Sequence, residues 1–137
     1  MAQVETVRRL AGAARARLTA AGRNLGAGAC RDAIDEAYYA ALQAASAALA
    51  TRDLEYDEEP AVVADFERVF VDEESLFEAE VARRLDELSE YRMRYDSEPL
   101  EGEEDTAEYA FAAAEVFTGE VLSYVDRWLE DARDKKR

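Results

Sequence analysis

Residues 32–50 read DAIDEAYYAALQAASAALA, and the fold turns on this stretch. It contains no glycine or proline, and Ile34, Tyr38, Ala41, Ala45 and Ala48 recur at steps of three and four, the period of one helical face. Tyr39, Leu42 and Leu49 form a second stripe, with the small Ser46 between the two leucines. A hydroxyl there can bond back to a carbonyl of the preceding turn, so it need not break the stripe. A helix that is apolar on two sides touches more than one neighbour. Its alanines let those neighbours approach closely, which predicts that this helix is central and the most buried. The adjacent Tyr38 and Tyr39 then fill space that alanine leaves, and a buried tyrosine hydroxyl must find a partner.

Outward from this helix the chain is punctuated by turn-formers. GRNLGAGAC (22–30) is expected to break a first helix, TRDLEYDEEP (51–60) to end the second, and YDSEPLEGEED (95–105) to precede the last. Before the first break, Val7, Ala11, Ala14, Leu18, Ala21 and Leu25 keep helical spacing. After Pro60, Val63, Phe66 and Phe70 predict a short helix reaching about Val71. Val81, Leu85, Leu88, Arg92 and Tyr95 mark a third long helix. Ala110, Ala113, Phe117, Val121, Tyr124 and Trp128 mark a fourth, for which Asp105 is the expected cap and Glu108 its capping-box partner. No strand-like alternation competes. The expectation is one all-α domain over residues 1–137: an antiparallel four-helix up-and-down bundle of similar helix lengths, with an additional short helix before the third long one.

Composition narrows the function. The chain has 137 residues, no histidine and one cysteine, Cys30. Imidazole acid–base chemistry and histidine-containing metal sites are therefore excluded. The ferritin-like Glu-x-x-His pair cannot be written either, so no metal and no cofactor is called for. Cys30 cannot form an internal disulfide and reads as an inert, semi-buried thiol. No apolar run is long enough to cross a membrane. The opening MAQVETVRRL lacks the apolar core of a secretory signal, so a cytoplasmic location is expected.

The net charge of −15 is uneven: residues 1–31 carry six arginines against Glu5, leaving −20 on the remainder. Such an acidic chain repels phosphate backbones, which disfavours nucleic acid as a partner. The basic first helix either balances its acidic neighbours or serves as a docking face. Two lysines against fifteen arginines fit either a high-salt cytoplasm or GC-rich coding.

DEAYYAALQAASAAL is similar to the N-R-A-Y-Y-A-M-F-H-A-A-x-A-L-L signature of small HEPN-domain proteins. AVVADFERVFVDEESLFEAEVARRLDELSEYRMRYD resembles that group's short phenylalanine-bearing helix and its long helix ending near R-x-x-x-D-Y. TAEYAFAAAEVFTGEVLSYV resembles its final helix, so the likeness runs from about residue 5 to 130. The resemblance implies a bundle of four helices plus a short fifth, often a homodimer. Many relatives pair with a minimal nucleotidyltransferase as a toxin–antitoxin system. Others are metal-independent endoribonucleases built on an R-x(4–6)-H motif, where histidine moves the proton and arginine steadies the phosphate.

This chain departs from those nucleases. Glu36 stands where the signature has arginine, and Gln43 where it has histidine; an amide can hydrogen-bond but cannot shuttle a proton at neutral pH. YRMRYD keeps Arg92, Arg94 and Asp96 without a histidine. Arg92 falls on an apolar stripe and so needs an acidic or multidentate partner. Asp96, Glu36 and Asp35 are the structural candidates, and a ligand-binding role for Arg92 stays open beside them.

The leading reading is a noncatalytic, homodimeric HEPN-like binding or regulatory protein that acts with a nucleotidyltransferase. Its ligand-binding candidates are Arg92, Arg94, Glu36, Gln43, Tyr38 and Tyr39. The alternatives are an endoribonuclease with a non-standard site (Arg92, Asp96 and Tyr95), a nucleotide-binding module using Arg92 and Arg94 on phosphate, and a bare bundle that docks through its first helix.

Overall fold

The computed structural model describes residues 2–97 and 103–135, with the side chains of residues 2 and 95–97 outside the description. The chain runs α1 (Ala2–Gly26), α2 (Cys30–Ala50), α3 (Glu59–Phe66) continued by a π-helical run (Glu67–Glu73), α4 (Ala79–Ser97) and α5 (Glu103–Lys135). No strand occurs among the described residues, as the periodicity implied.

Contacts between helix ends fix the topology. The Gln3 amide donates to the carbonyls of Ala50 and Thr51 at 3.1 and 3.2 Å, so the start of α1 lies at the end of α2. Arg31 pairs with Glu103 at 3.4 Å, and the Thr51 and Tyr124 hydroxyls meet at 2.7 Å, so α2 and α5 run the same way. Arg84–Glu120 at 3.6 Å and the edge-to-face pair Tyr91–Tyr109 set α4 antiparallel to α5. The result is the expected up-and-down bundle.

Alanine decides its cross-section. Ala33, Ala37, Ala40, Ala41, Ala44, Ala45, Ala47 and Ala48 of α2 are fully buried, and α2 packs against all four other helices. Small side chains let α2 and α5 close the short diagonal of the bundle, while α1 and α4 scarcely meet.

Several boundaries differ from expectation for identifiable reasons. α1 runs through Gly22 to Gly26 because Leu25 continues its apolar stripe. The stop is a Schellman turn at Gly28, whose φ of 76° suits glycine, with Ala29 N–H bonding to the Asn24 carbonyl. α2 ends in the same motif with Asp53 in the left-handed position (φ 61°) and Leu54 N–H on the Leu49 carbonyl. Asp105 is not the cap of α5: the helix is already under way at Glu103, and Glu103, Glu104 and Asp105 place three carboxylates at its positive end. The long helices are also unequal, at 25, 21, 19 and 33 residues.

The short third element is helical at both Phe66 and Phe70, but its second half widens into the π run. Phe66 stacks on Phe77 and touches Phe70 and Phe117, which seals the core beneath α3. π-helical turns are uncommon and frequently mark functional sites. Among the described residues no helix is long and apolar enough to cross a membrane.

Candidate functional site

Arg92 reaches back from α4 to the start of α2, where the sequence placed its partners. Its guanidinium lies 4.8 Å from the Tyr39 ring centroid and 5.3 Å from that of Tyr38. One nitrogen donates to Glu59 at 3.1 Å, and another stands 3.8 Å from Asp35. Asp35 was among the expected partners; Glu59 was not. Glu36, also expected, is turned toward α1 and pairs with Arg17 at 3.2 Å, because one residue along a helix rotates the side chain by about 100°. The side chains of Asp96 and Tyr95 lie outside the described residues.

The tyrosine pair is thus explained by charge as well as packing. Tyr38 is 2 % exposed, and its hydroxyl donates to Glu59 at 3.3 Å, the partner that burial demanded. Burial, followed by the Glu59 charge, pushes its phenol up to about 12, with Arg92 opposing. Tyr39 is raised chiefly by burial, and two guanidiniums approach its ring, Arg92 at 4.8 Å and Arg17 at 5.4 Å from the centroid. Burial pulls the Arg92 cation down, but Tyr39, Glu59, Tyr38 and Asp35 together carry it above its ordinary value. A cation on two ring faces, with carboxylates at its edge, stays charged at every working pH.

Beside this knot, α3 and α4 bound an open groove of about 510 Å³, lined by Tyr38, Val63, Asp86, Ser89, Arg92 and Met93 among others. Asp86 there is raised by burial and then by the neighbouring Glu67 and Glu90 charges. Carboxylates outnumber Arg92 along the groove, so its field does not favour phosphate. Arg94 is exposed on α4 and is not among the groove's lining residues.

Gln43 lies elsewhere. It is half-buried on α2 and faces a second groove of about 380 Å³ between α1, α2 and the 51–58 connection. Ser46 lines the same groove, and the back-bond open to its hydroxyl is not formed: neither Gln43 nor Ser46 makes a side-chain hydrogen bond among the described residues. Of the six ligand-binding candidates, Tyr38, Tyr39 and Arg92 therefore converge, while Glu36, Gln43 and Arg94 do not join them.

A second arginine centre went unforeseen. Arg52, in the turn after α2, forms a bidentate pair with Glu74 at 2.6 and 2.8 Å. It also donates to the Tyr124 hydroxyl at 2.6 Å and lies over the rings of Phe70 and Tyr124. The Glu74 carboxyl is held below its ordinary value by the Arg52 hydrogen bond. Nothing in local spacing marks Arg52; only the π run brings Glu74 and Phe70 to it. Cys30 is half-buried, and burial, then the charges of Glu103, Glu104 and Glu108, push its thiol up, away from reactivity.

The family profile of the HEPN domain matches residues 7–124. That span covers most of the chain, including both arginine centres, and the chain belongs to the HEPN-domain family. No curated protein matches this chain.

Proposed function

We propose that this HEPN protein is a noncatalytic binding or regulatory subunit, homodimeric and cytoplasmic, of a toxin–antitoxin-type pair with a nucleotidyltransferase partner. One observation carries the reading: the chain has no histidine, and Gln43 occupies the signature position where relatives hold an imidazole. The state of Arg92 supports it. A phosphate-steadying arginine must be free to meet developing charge, whereas this one already faces Glu59 and Asp35. Tyr38, Tyr39 and Arg92 then act as a strut joining α2, α3 and α4 rather than as reacting groups.

The competing nuclease built on Arg92, Asp96 and Tyr95 would need a proton carrier near neutrality, and an ordinary aspartate titrates about three units too low. The nucleotide-binding alternative through Arg92 and Arg94 has the open α3–α4 groove in its favour and that groove's carboxylates against it. The deciding assays are co-elution of the purified chain with a minimal nucleotidyltransferase encoded beside its gene, and incubation with mixed RNA. Co-elution with an unchanged RNA ladder is the expected pair of results. Specific cleavage that disappears in Arg92→Ala overturns the proposal.

A further inference from the structure

The groove that contains Gln43 joins an aliphatic floor to an acidic rim. Its floor is aliphatic: Leu42, Leu49 and Val62 are buried, and Leu10 and Leu54 are half-buried at its edges. Leu54 is held there by the Schellman turn at Asp53. The amide of Gln43 and the hydroxyl of Ser46 lie among these leucines without intramolecular partners among the described residues. Along one rim stand Glu55, Asp57, Glu58 and Glu59. Glu59 is taken by Arg92, whereas Glu55, Asp57 and Glu58 meet no cation among the described residues. The opposite rim carries one arginine, Arg9.

We propose that this groove receives a basic, leucine-bearing peptide segment of a partner protein: aliphatic anchors enter between α1 and α2, and flanking arginines or lysines meet the Glu55–Glu58 rim. This rests on the reading of the chain as a binding subunit and names the chemistry of what it binds. The volume, about 380 Å³, suits side chains rather than a whole helix. The anchors therefore insert beside Gln43 and Ser46, whose amide and hydroxyl can meet a polar atom of the segment, while its backbone stays at the mouth. A rim of uncompensated carboxylates selects a positive occupant and speeds its encounter.

A second copy of this chain does not fit the description. Its basic surface is the outer face of α1, where Arg8, Arg9, Gly12, Arg15 and Ala16 are exposed without a large apolar side chain. Among the described residues the large apolar side chains it exposes are Leu76, Met93, Tyr109 and Val116; Val116 follows Glu115, Leu76 lies two residues from both Glu74 and Glu78, and Met93 stands between Arg92 and Arg94, of which Arg92 is held by Glu59 and Asp35. Among these residues Met93 alone adjoins arginine, a single unbranched anchor against a floor of several leucines.

The test is fluorescence anisotropy of the full chain with three labelled short peptides. One alternates arginines with leucines, one replaces its arginines by glutamate, and one replaces its leucines by serine. Only the first is expected to saturate, with a Kd on the order of micromolar, weakening as salt rises. The variant Glu55→Lys/Asp57→Lys/Glu58→Lys should lose at least tenfold in affinity, while Glu67→Lys/Asp86→Lys, on the other groove, should bind as the parent does. Ser46→Trp, which fills the groove, should abolish binding, and its helical circular dichroism checks its fold.

Equal binding of the serine peptide would reduce the groove to nonspecific polyanion attraction and overturn the proposal. So would undiminished binding by the triple-lysine variant, or no saturation at all. Light scattering adds a separate readout: a dimer that the triple-lysine variant splits would seat a second copy in the groove, and that also overturns it. RNA cleavage by the chain would sink the noncatalytic reading alone, since peptide binding is measured independently.

Discussion

Arg52 and Arg92 are built from the same parts and do different things. Each guanidinium lies over two aromatic rings and meets a carboxylate from the α3 region: Glu74 for Arg52 and Glu59 for Arg92. The Arg52 pair is bidentate and short, and its third donor is satisfied by the Tyr124 hydroxyl. The Arg92 contacts are single and longer, 3.1 and 3.8 Å, and it borders an open groove. A fork-to-fork pair fixes geometry as well as charge, whereas single contacts leave the cation room to re-pair. Arg52 therefore locks the π run onto the end of α2, and Arg92 is the looser strut.

The largest expected effect tests the lock. Arg52→Ala leaves Glu74 without its partner and removes a charged donor from the Tyr124 hydroxyl, which keeps Thr51; denaturant unfolding should show a loss of about 2 kcal/mol, the scale of a charged hydrogen-bond network. This loss carries a pH signature. The folded-state carboxyl of Glu74 is depressed, so the pair stabilises the fold above the ordinary value of 4.5 and ceases to do so as pH falls through the lowered folded value. The gap between parent and variant should close in acid; a gap constant down to pH ~3 would mean that Arg52 acts by packing alone.

Arg92→Ala should cost less, about 1 kcal/mol, from two partly exposed ring contacts and one ion pair. A cost matching or exceeding that of Arg52→Ala would erase the distinction between the two centres.

Tyr38→Phe removes one hydrogen bond from the strut, worth about 1 kcal/mol or less. The phenol is raised from 10.0 to about 12 in the fold. It thus contributes stability below pH 10 that is lost as pH rises toward about 12. Alkaline titration of stability should be shallower in the phenylalanine variant, and an identical slope would show that Tyr38 ionises as freely folded as unfolded.

The smallest effect has the opposite sign. Asp86 and Glu90 are like charges one turn apart, and Asp86 is raised by burial first and then by Glu67 and Glu90. Asp86→Asn should stabilise at pH 7 by about 0.2–0.5 kcal/mol. The gain should vanish in acid, where the parent carboxyl is protonated; a loss at pH 7 would show that Asp86 holds a favourable contact.

The two centres also show what a sequence can reveal. Arg92 was legible because it interrupts an apolar stripe, and a cation on such a stripe must be compensated. Arg52 was not, because a turn residue belongs to no stripe, and its partner arrives through a π run that i+3/i+4 spacing cannot express. Glu59 was hidden for another reason: among the acids of residues 55–59, no spacing rule tells which one turns inward. The central position of α2 followed from its alanines, and the bundle topology from the turn residues. The boundary errors at Gly22 and Asp105 arose where a stripe or an acidic first turn outweighed the punctuation. For the candidate site, the spacing pointed Arg92 to Asp35, whereas its seat on the Tyr38 and Tyr39 rings was not expressed in any stripe, and Glu36 and Gln43, though on the same helix, look toward other neighbours.

The proposed function requires that a HEPN bundle without imidazole binds but does not transfer protons. Its most direct test is the rate of 2′,3′-cyclic phosphate formation from a labelled RNA, measured with excess chain from pH 5 to 9. A noncatalytic subunit gives a rate equal to the buffer blank at every pH, for the parent and for Arg92→Ala alike. A pH-dependent rate above the blank that Arg92→Ala removes would contradict it.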